Sequence, residues 1–255
     1  MWEQLIRLEV YHFLYAFARI GSSFLMMPFF SSNFIPVKIR LLFTLAFSVV
    51  LTPLMVDKMP VPPTTALELT RQIFGEITIG FFMGLVPAIF MTAIDLAGIN
   101  AAMATSFSNA TVLDPQSSSQ TTVLSSFLTL LAVMMLVATN LHHLMIGAVL
   151  DSYELFHVGE ALMTEDMKEF IAKVLSLSFL CGFKIAAPFV LMIVVLYTSM
   201  GIMSRLMPQL NIMFVIMPLQ VYLGLSLMML SLPMMIWWFA RFVDDQLSLW
   251  LTGGG

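Results

Sequence analysis

Six long apolar stretches restrict this chain more than anything else in its sequence. They run over 10–32, 39–56, 73–97, 123–150, 174–203 and 212–240. Each approaches or exceeds the ~20 residues with which a helix crosses a bilayer. Backbone groups in lipid must be bonded within their own segment, so helix is the expected state of all six. Charge content agrees. Charged residues make up 10% of the 255 and hydrophobic ones 60%, whereas a soluble domain carries about a quarter charged residues. Lipid or a large protein interface must therefore cover much of the outside. The expected fold class is all-α, a multi-helical membrane-associated protein.

The breaks between stretches refine this. Asn33-Phe-Ile-Pro36 separates the first two, and Met59-Pro-Val-Pro-Pro63 ends the second, with Thr64-Thr65 placed to cap the next helix. Pro87, Pro188, Pro218 and Pro233 fall inside later stretches. A proline removes a helix hydrogen bond and kinks the helix, and neighbouring protein must then cover the freed carbonyl. Kinked helical hairpins packed on partners are expected, more than isolated straight spans. Residues 98–122 read as a loop that is polar yet almost chargeless, with Asp114-Pro115 favouring a turn. It is either an ordinary exposed loop or one folded into a pore, where a neutral, hydroxyl-rich strand buries no charge. Residues 151–173 hold six of the 15 acidic residues and read as a solvated amphipathic helix or turn at a membrane surface. No linker divides the chain, so residues 1–252 are expected to form one unit. Gly253-Gly254-Gly255 reads as an appended tail outside the fold, and no cleavable signal peptide is expected. Basic residues divide six to three between the two sides of a six-span scheme, which leans towards cytoplasmic termini.

Chemical motifs are few. The sequence holds no phosphate-binding loop, no GxGxxG, no HExxH and no paired-cysteine metal motif. No catalytic residue, cofactor or metal is expected. The net charge of −4 and scattered basic residues give no footprint for nucleic acid. A single cysteine, Cys181, excludes an intramolecular disulfide. His142-His143 is the nearest approach to a metal site, but adjacent helical side chains point about 100° apart. A hydrogen-bonded interfacial pair is the simpler reading. Arg19, Glu76, Asp95 and Lys184 lie within apolar stretches and are expected to be buried. Such groups face protein or water. They form either a substrate or proton pathway, or salt bridges that fix the helices, and sequence alone does not pair them. Gly80-Phe-Phe-Met-Gly84 is a GxxxG, which lets another helix approach closely.

The stretch Gly201-Ile-Met-Ser-Arg205-Leu-Met-Pro208-Gln-Leu-Asn211-Ile-Met-Phe-Val-Ile-Met-Pro218 resembles the hallmark of the FliR family of flagellar export-gate proteins, whose virulence-system relatives are the SctT proteins. Arg205, Pro208, Asn211 and Pro218 carry the match. Phe17-Ala-Arg19, Pro28, Pro36, Glu76 with Gly80 and Gly84, Asp114-Pro115 and Ala187-Pro188 match in the same order. The resemblance covers essentially the whole chain. One departure is Ile216, where family members often have glycine.

The resemblance implies a FliP-like part joined to a FliQ-like part. It implies one copy of the chain assembled with five FliP-like and four FliQ-like subunits, with FlhA- and FlhB-like neighbours, in the bacterial inner membrane at the flagellar basal body. That assembly is the entry channel for unfolded flagellar polypeptides. The segment around 106–122 matches the family's plug, a role carried onto Phe107, Asn109, Val112, Leu113, Asp114 and Pro115. A stand-alone secondary transporter coupling ions through Glu76 or Asp95 is the alternative, and a purely structural subunit that lines no pore is a third reading.

Overall fold

The computed structural model describes residues 2–31, 35–55, 65–106, 123–160, 164–209 and 213–251. Every regular element among them is a helix: α1 (Trp2–Met26), α2 (Pro28–Ser31), α3 (Val37–Met55), α4 (Ala66–Ala104), α5 (Val123–Ala138), α6 (Leu141–Leu155), α7 (Thr164–Leu206) and α8 (Met213–Leu251). The all-α expectation holds. Among the described residues α4, α7 and α8 are each long and apolar enough to cross a membrane, and α5 with α6 qualifies as one broken span. At 39, 43 and 39 residues, α4, α7 and α8 exceed the roughly 30 Å apolar core of a bilayer about twofold at ~1.5 Å per residue. The internal prolines lie within helices that continue past them.

Three boundaries differ from the sequence reading. Residues 98–104, read as the start of a loop, are the last turns of α4. Their polar Asn100 side chain is absorbed by the helix itself, donating to the Leu96 carbonyl at 2.8 Å. The fourth stretch is two helices, broken at Asn140, which takes a left-handed φ of 59°. Asparagine enters that region at less cost than most residues. Residues 151–173 are neither one helix nor one turn. They comprise the end of α6, an irregular passage through Phe156–Glu160 and the start of α7, and their charged side chains are exposed. At the other boundary, Thr65 Oγ1 accepts the Glu68 amide at 3.4 Å and caps α4.

The chain forms two compact units. The first takes Met1–Ile89, Asn140–Val174 and Leu247–Gly255. Within it α1 packs along α3, where Phe24, Phe30, Phe43 and Phe47 form an aromatic cluster with Phe24 and Phe30 stacked at 4.4 Å. Thr44, Ser48 and Thr52 of α3 each donate to the carbonyl four residues back, so hydroxyls on an apolar helix need no water. The Gly80–Gly84 pair of α4 lies against α1. A Cβ at Gly80 would strike the Arg19 carbonyl and Ser22 Oγ, and one at Gly84 the Ser23 carbonyl. The second unit takes Phe90–Thr139 and Leu175–Gln246. Close approach again rests on glycine there: Gly98 meets Ser125, Gly182 meets Ala93 and Gly224 meets Thr105.

Candidate functional site

The first unit is organised around one ion pair. Arg19 on α1 is fully buried and Glu76 on α4 is 1% exposed. Arg19 Nε donates to Glu76 Oε2 at 2.7 Å and Nη2 donates to Oε1 at 2.9 Å, a bidentate pairing. Nη2 also donates to the Phe156 carbonyl at 2.9 Å, and Nη1 to Ser152 Oγ at 3.1 Å. The guanidinium lies 3.8 Å from the centre of the Tyr153 ring. One side chain thus joins α1, α4, α6 and the passage after α6. Removing two charges from water costs several kcal/mol per ion, and only near-ideal geometry with the remaining protons satisfied recovers it. The pairing is bidentate, and four of the five guanidinium protons meet an acceptor. A cavity of about 300 Å³, lined by Arg71, Gln72, His157 and Glu160 among others, flanks Glu76. Beside the pair, Tyr15 donates its hydroxyl to Gln72 Oε1.

This geometry constrains the chemistry. Each Glu76 oxygen is held by the guanidinium. A proton relay through Glu76 would have to break a bidentate, desolvated pair at every cycle. The arrangement suits a fixed clasp between helices.

The other two ionisable residues depart from expectation. Asp95 is only half-buried and accepts a hydrogen bond from Thr129 Oγ1 on α5. Lys184, expected to be buried, stands exposed on α7. A lysine on the open face of a long helix keeps its ammonium exposed while its stem lies along apolar surface. His142 and His143 stack with ring centres 4.1 Å apart and line an apolar cavity of about 650 Å³ with the α1–α3 phenylalanines and Arg40. No cluster of metal-ligating side chains occurs among the described residues.

In the second unit, α4 ends in a strained turn. Ser106 has a φ of 60°, a left-handed conformation that is uncommon for a non-glycine residue. Its hydroxyl donates to Gln220 Oε1 on α8. Thr105, fully buried, packs on Gly224 one helical turn further along α8. Gln220 is 4% exposed, and its Nε2 meets no acceptor among the described residues. Phe107, Asn109, Val112, Leu113, Asp114 and Pro115 lie outside the described residues, as does Asn211. Arg205, Pro208 and Pro218 are exposed around the α7–α8 connection.

Sequence reasoning passed over Ser152, Tyr153, the Phe156 carbonyl and Gln220. The first three carry no signal, because they come from residues 133–137 positions away from Arg19. Gln220 does carry one: it is the sole amide side chain in the otherwise apolar run 213–240.

All-α architecture with several membrane-length helices and a charged centre consumed by packing defines a helical membrane protein. The model of the bacterial export proteins, family 1, matches residues 10–246. The chain belongs to that family, among its FliR-type flagellar biosynthetic proteins. It is 35% identical over 231 residues to flagellar biosynthetic protein FliR of Caulobacter vibrioides, covering 90% of this chain and 92% of the relative. The Bacillus subtilis FliR is 29% identical over 229 residues, covering 88% and 86%. The Escherichia coli FliR is 29% identical over 209 residues, covering 81% and 78%. Membership gives the chain a role in flagellar protein export.

Proposed function

We propose that this chain is a non-enzymatic subunit of the flagellar export gate in the bacterial inner membrane, at the basal body. Residues 1–252 act as one gate unit, with a FliP-like part joined to a FliQ-like part. One copy assembles with five FliP-like and four FliQ-like subunits into the channel that passes unfolded flagellar polypeptides, next to FlhA- and FlhB-like components. The segment 106–122 plugs the closed channel, with Phe107, Asn109, Val112, Leu113, Asp114 and Pro115 in the lumen. The observation that carries this reading is family membership over 10–246, in a chain whose α7 and α8 leave long apolar faces uncovered. Leu191, Val194, Phe214, Met229 and Leu230 are each more than half exposed. Such faces require lipid or other helices. The buried, bidentate Arg19–Glu76 pair supports assembly over ion coupling.

Deleting 106–122 tests the plug. The expected result is an assembled complex whose membranes leak ions and small solutes. Normal permeability with the complex intact would reject the plug role.

A further inference from the structure

We propose that the groove between α7 and α8 holding Lys184, Trp237, Trp238 and Arg241 docks an apolar helical segment of a partner subunit, whose single carboxylate is set against Lys184. The inference rests on the assembly reading above and goes beyond it by naming a contact and its chemistry.

Lys184 stands inside apolar surface. Residues 174–183 before it and 185–204 after it carry no charged side chain. Leu180, Phe183 and Leu191 on the same helix are each more than half exposed, and so is Trp237 on the α8 side of the groove. Apolar surface of this kind is covered by lipid tails or by protein. Either cover takes water from the ammonium, and a charge taken out of water needs an opposite charge beside it. No ion pair among the described residues includes Lys184. Lipid tails bring no charge, whereas a protein segment can bring a carboxylate. Ionisable residues of apolar helices pair with one another in this way.

The groove is built for one such carboxylate. It encloses about 330 Å³, and its charged lining is Lys184, Arg241 and Asp245. Two cations against one carboxylate leave one positive charge to be answered. Arg241 lies 4.9 Å from the centre of the Trp237 ring, a cation–π contact that holds the guanidinium in place and leaves Lys184 to meet the incoming charge. Lys184 and Trp238 also line an adjoining apolar slot of about 190 Å³, with Ile185, Pro188, Met234 and Met235. Pro188 lies four residues beyond Lys184, about one helical turn. A docked helix would therefore set a large apolar side chain in the slot about one turn from its carboxylate. Tryptophan and arginine beside a pocket are the composition of an interface hot spot, and methionine adapts its shape to a guest.

The test uses the full chain, co-expressed with its FliP-like and FliQ-like partners and purified as the complex. p-Benzoylphenylalanine replaces Met234, which lines the slot, and the irradiated complex is mapped by peptide mass spectrometry. The expected result is a crosslink to a partner subunit within about one helical turn of an Asp or Glu. K184E should then cut recovery of the complex about tenfold, and lysine in place of the mapped acid should restore it. K184M alone should also lose the complex, and K184M with the mapped acid changed to leucine should regain it, so the apolar pair decides the matter if K184E fails to fold. A crosslink to lipid or detergent alone, a crosslinked segment without a carboxylate, or recovery restored by neither pair would overturn the site. Failure of the unsubstituted chain to form any complex would overturn the assembly reading itself, whereas an intact complex without the crosslink overturns the groove alone.

Discussion

Arg19 and Glu76 sit 57 residues apart in sequence, and the one guanidinium holds the carboxylate, a serine hydroxyl and a backbone carbonyl together. Removing one partner leaves the other charge buried and uncompensated, which costs about 3–5 kcal/mol. Glu76→Ala should therefore lower the thermal midpoint of the purified chain sharply. Arg19→Met combined with Glu76→Leu should cost less than Glu76→Ala alone, since no orphan charge remains. Glu76→Gln separates the clasp from a relay. It retains size and hydrogen-bonding capacity, so export, measured per assembled complex, should persist. Loss of export from fully assembled Glu76→Gln complexes would revive the ion-coupling reading. Sequence placed these two residues in apolar runs, but nothing in a linear pattern encodes a contact between positions 19 and 76. Lys184 shows the converse limit. An isolated charge in an apolar stretch reads as buried, although the open face of a helix can carry it exposed.

Between helices, small residues set the approach. Gly80 leaves no room for a Cβ against α1, whereas Gly75, five residues earlier on the same helix, has nothing within 4 Å of that position. Alanine at Gly75 should thus stabilise the chain by about 0.5–1 kcal/mol through helix propensity. Alanine at Gly80 should destabilise it by about 1–3 kcal/mol or more through overpacking. Paired thermal melts check both signs. The GxxxG spacing was legible in sequence, and the structure supplies its partner, the Arg19–Ser23 stretch of α1. The α4–α8 contact behaves differently. Gln220 accepts from Ser106 through its Oε1, and its Nε2 has no partner among the described residues. An unsatisfied buried donor costs about 1–3 kcal/mol. Gln220→Met should hold or raise the thermal midpoint while increasing the mobility of a spin label placed at the exposed Met103 near the end of α4. A fall in stability with unchanged label mobility would show that the Ser106–Gln220 hydrogen bond does not anchor the end of α4. Helix existence followed from apolar length, whereas the break at Asn140 and the helical state of 98–104 depended on single backbone choices that hydropathy does not resolve.

At the scale of the whole molecule, apolar surface left uncovered by the chain itself is the dominant fact. Composition announced it before any fold was known, because 10% charged residues cannot clothe a soluble surface of this length. What covers each face is a property of the partners and the bilayer, and a single sequence does not contain it. The ordered match of Arg205, Pro208, Asn211 and Pro218 with earlier residues pointed to the export-gate family, and the family model bears this out over 10–246. The central claim is that the chain works only as one member of a helical assembly. Native mass spectrometry of the chain co-expressed with its FliP-like and FliQ-like partners tests it most directly. The account predicts one copy of this chain bound to five and four copies of those two subunits. A stable monomer or homodimer that takes up neither would contradict it.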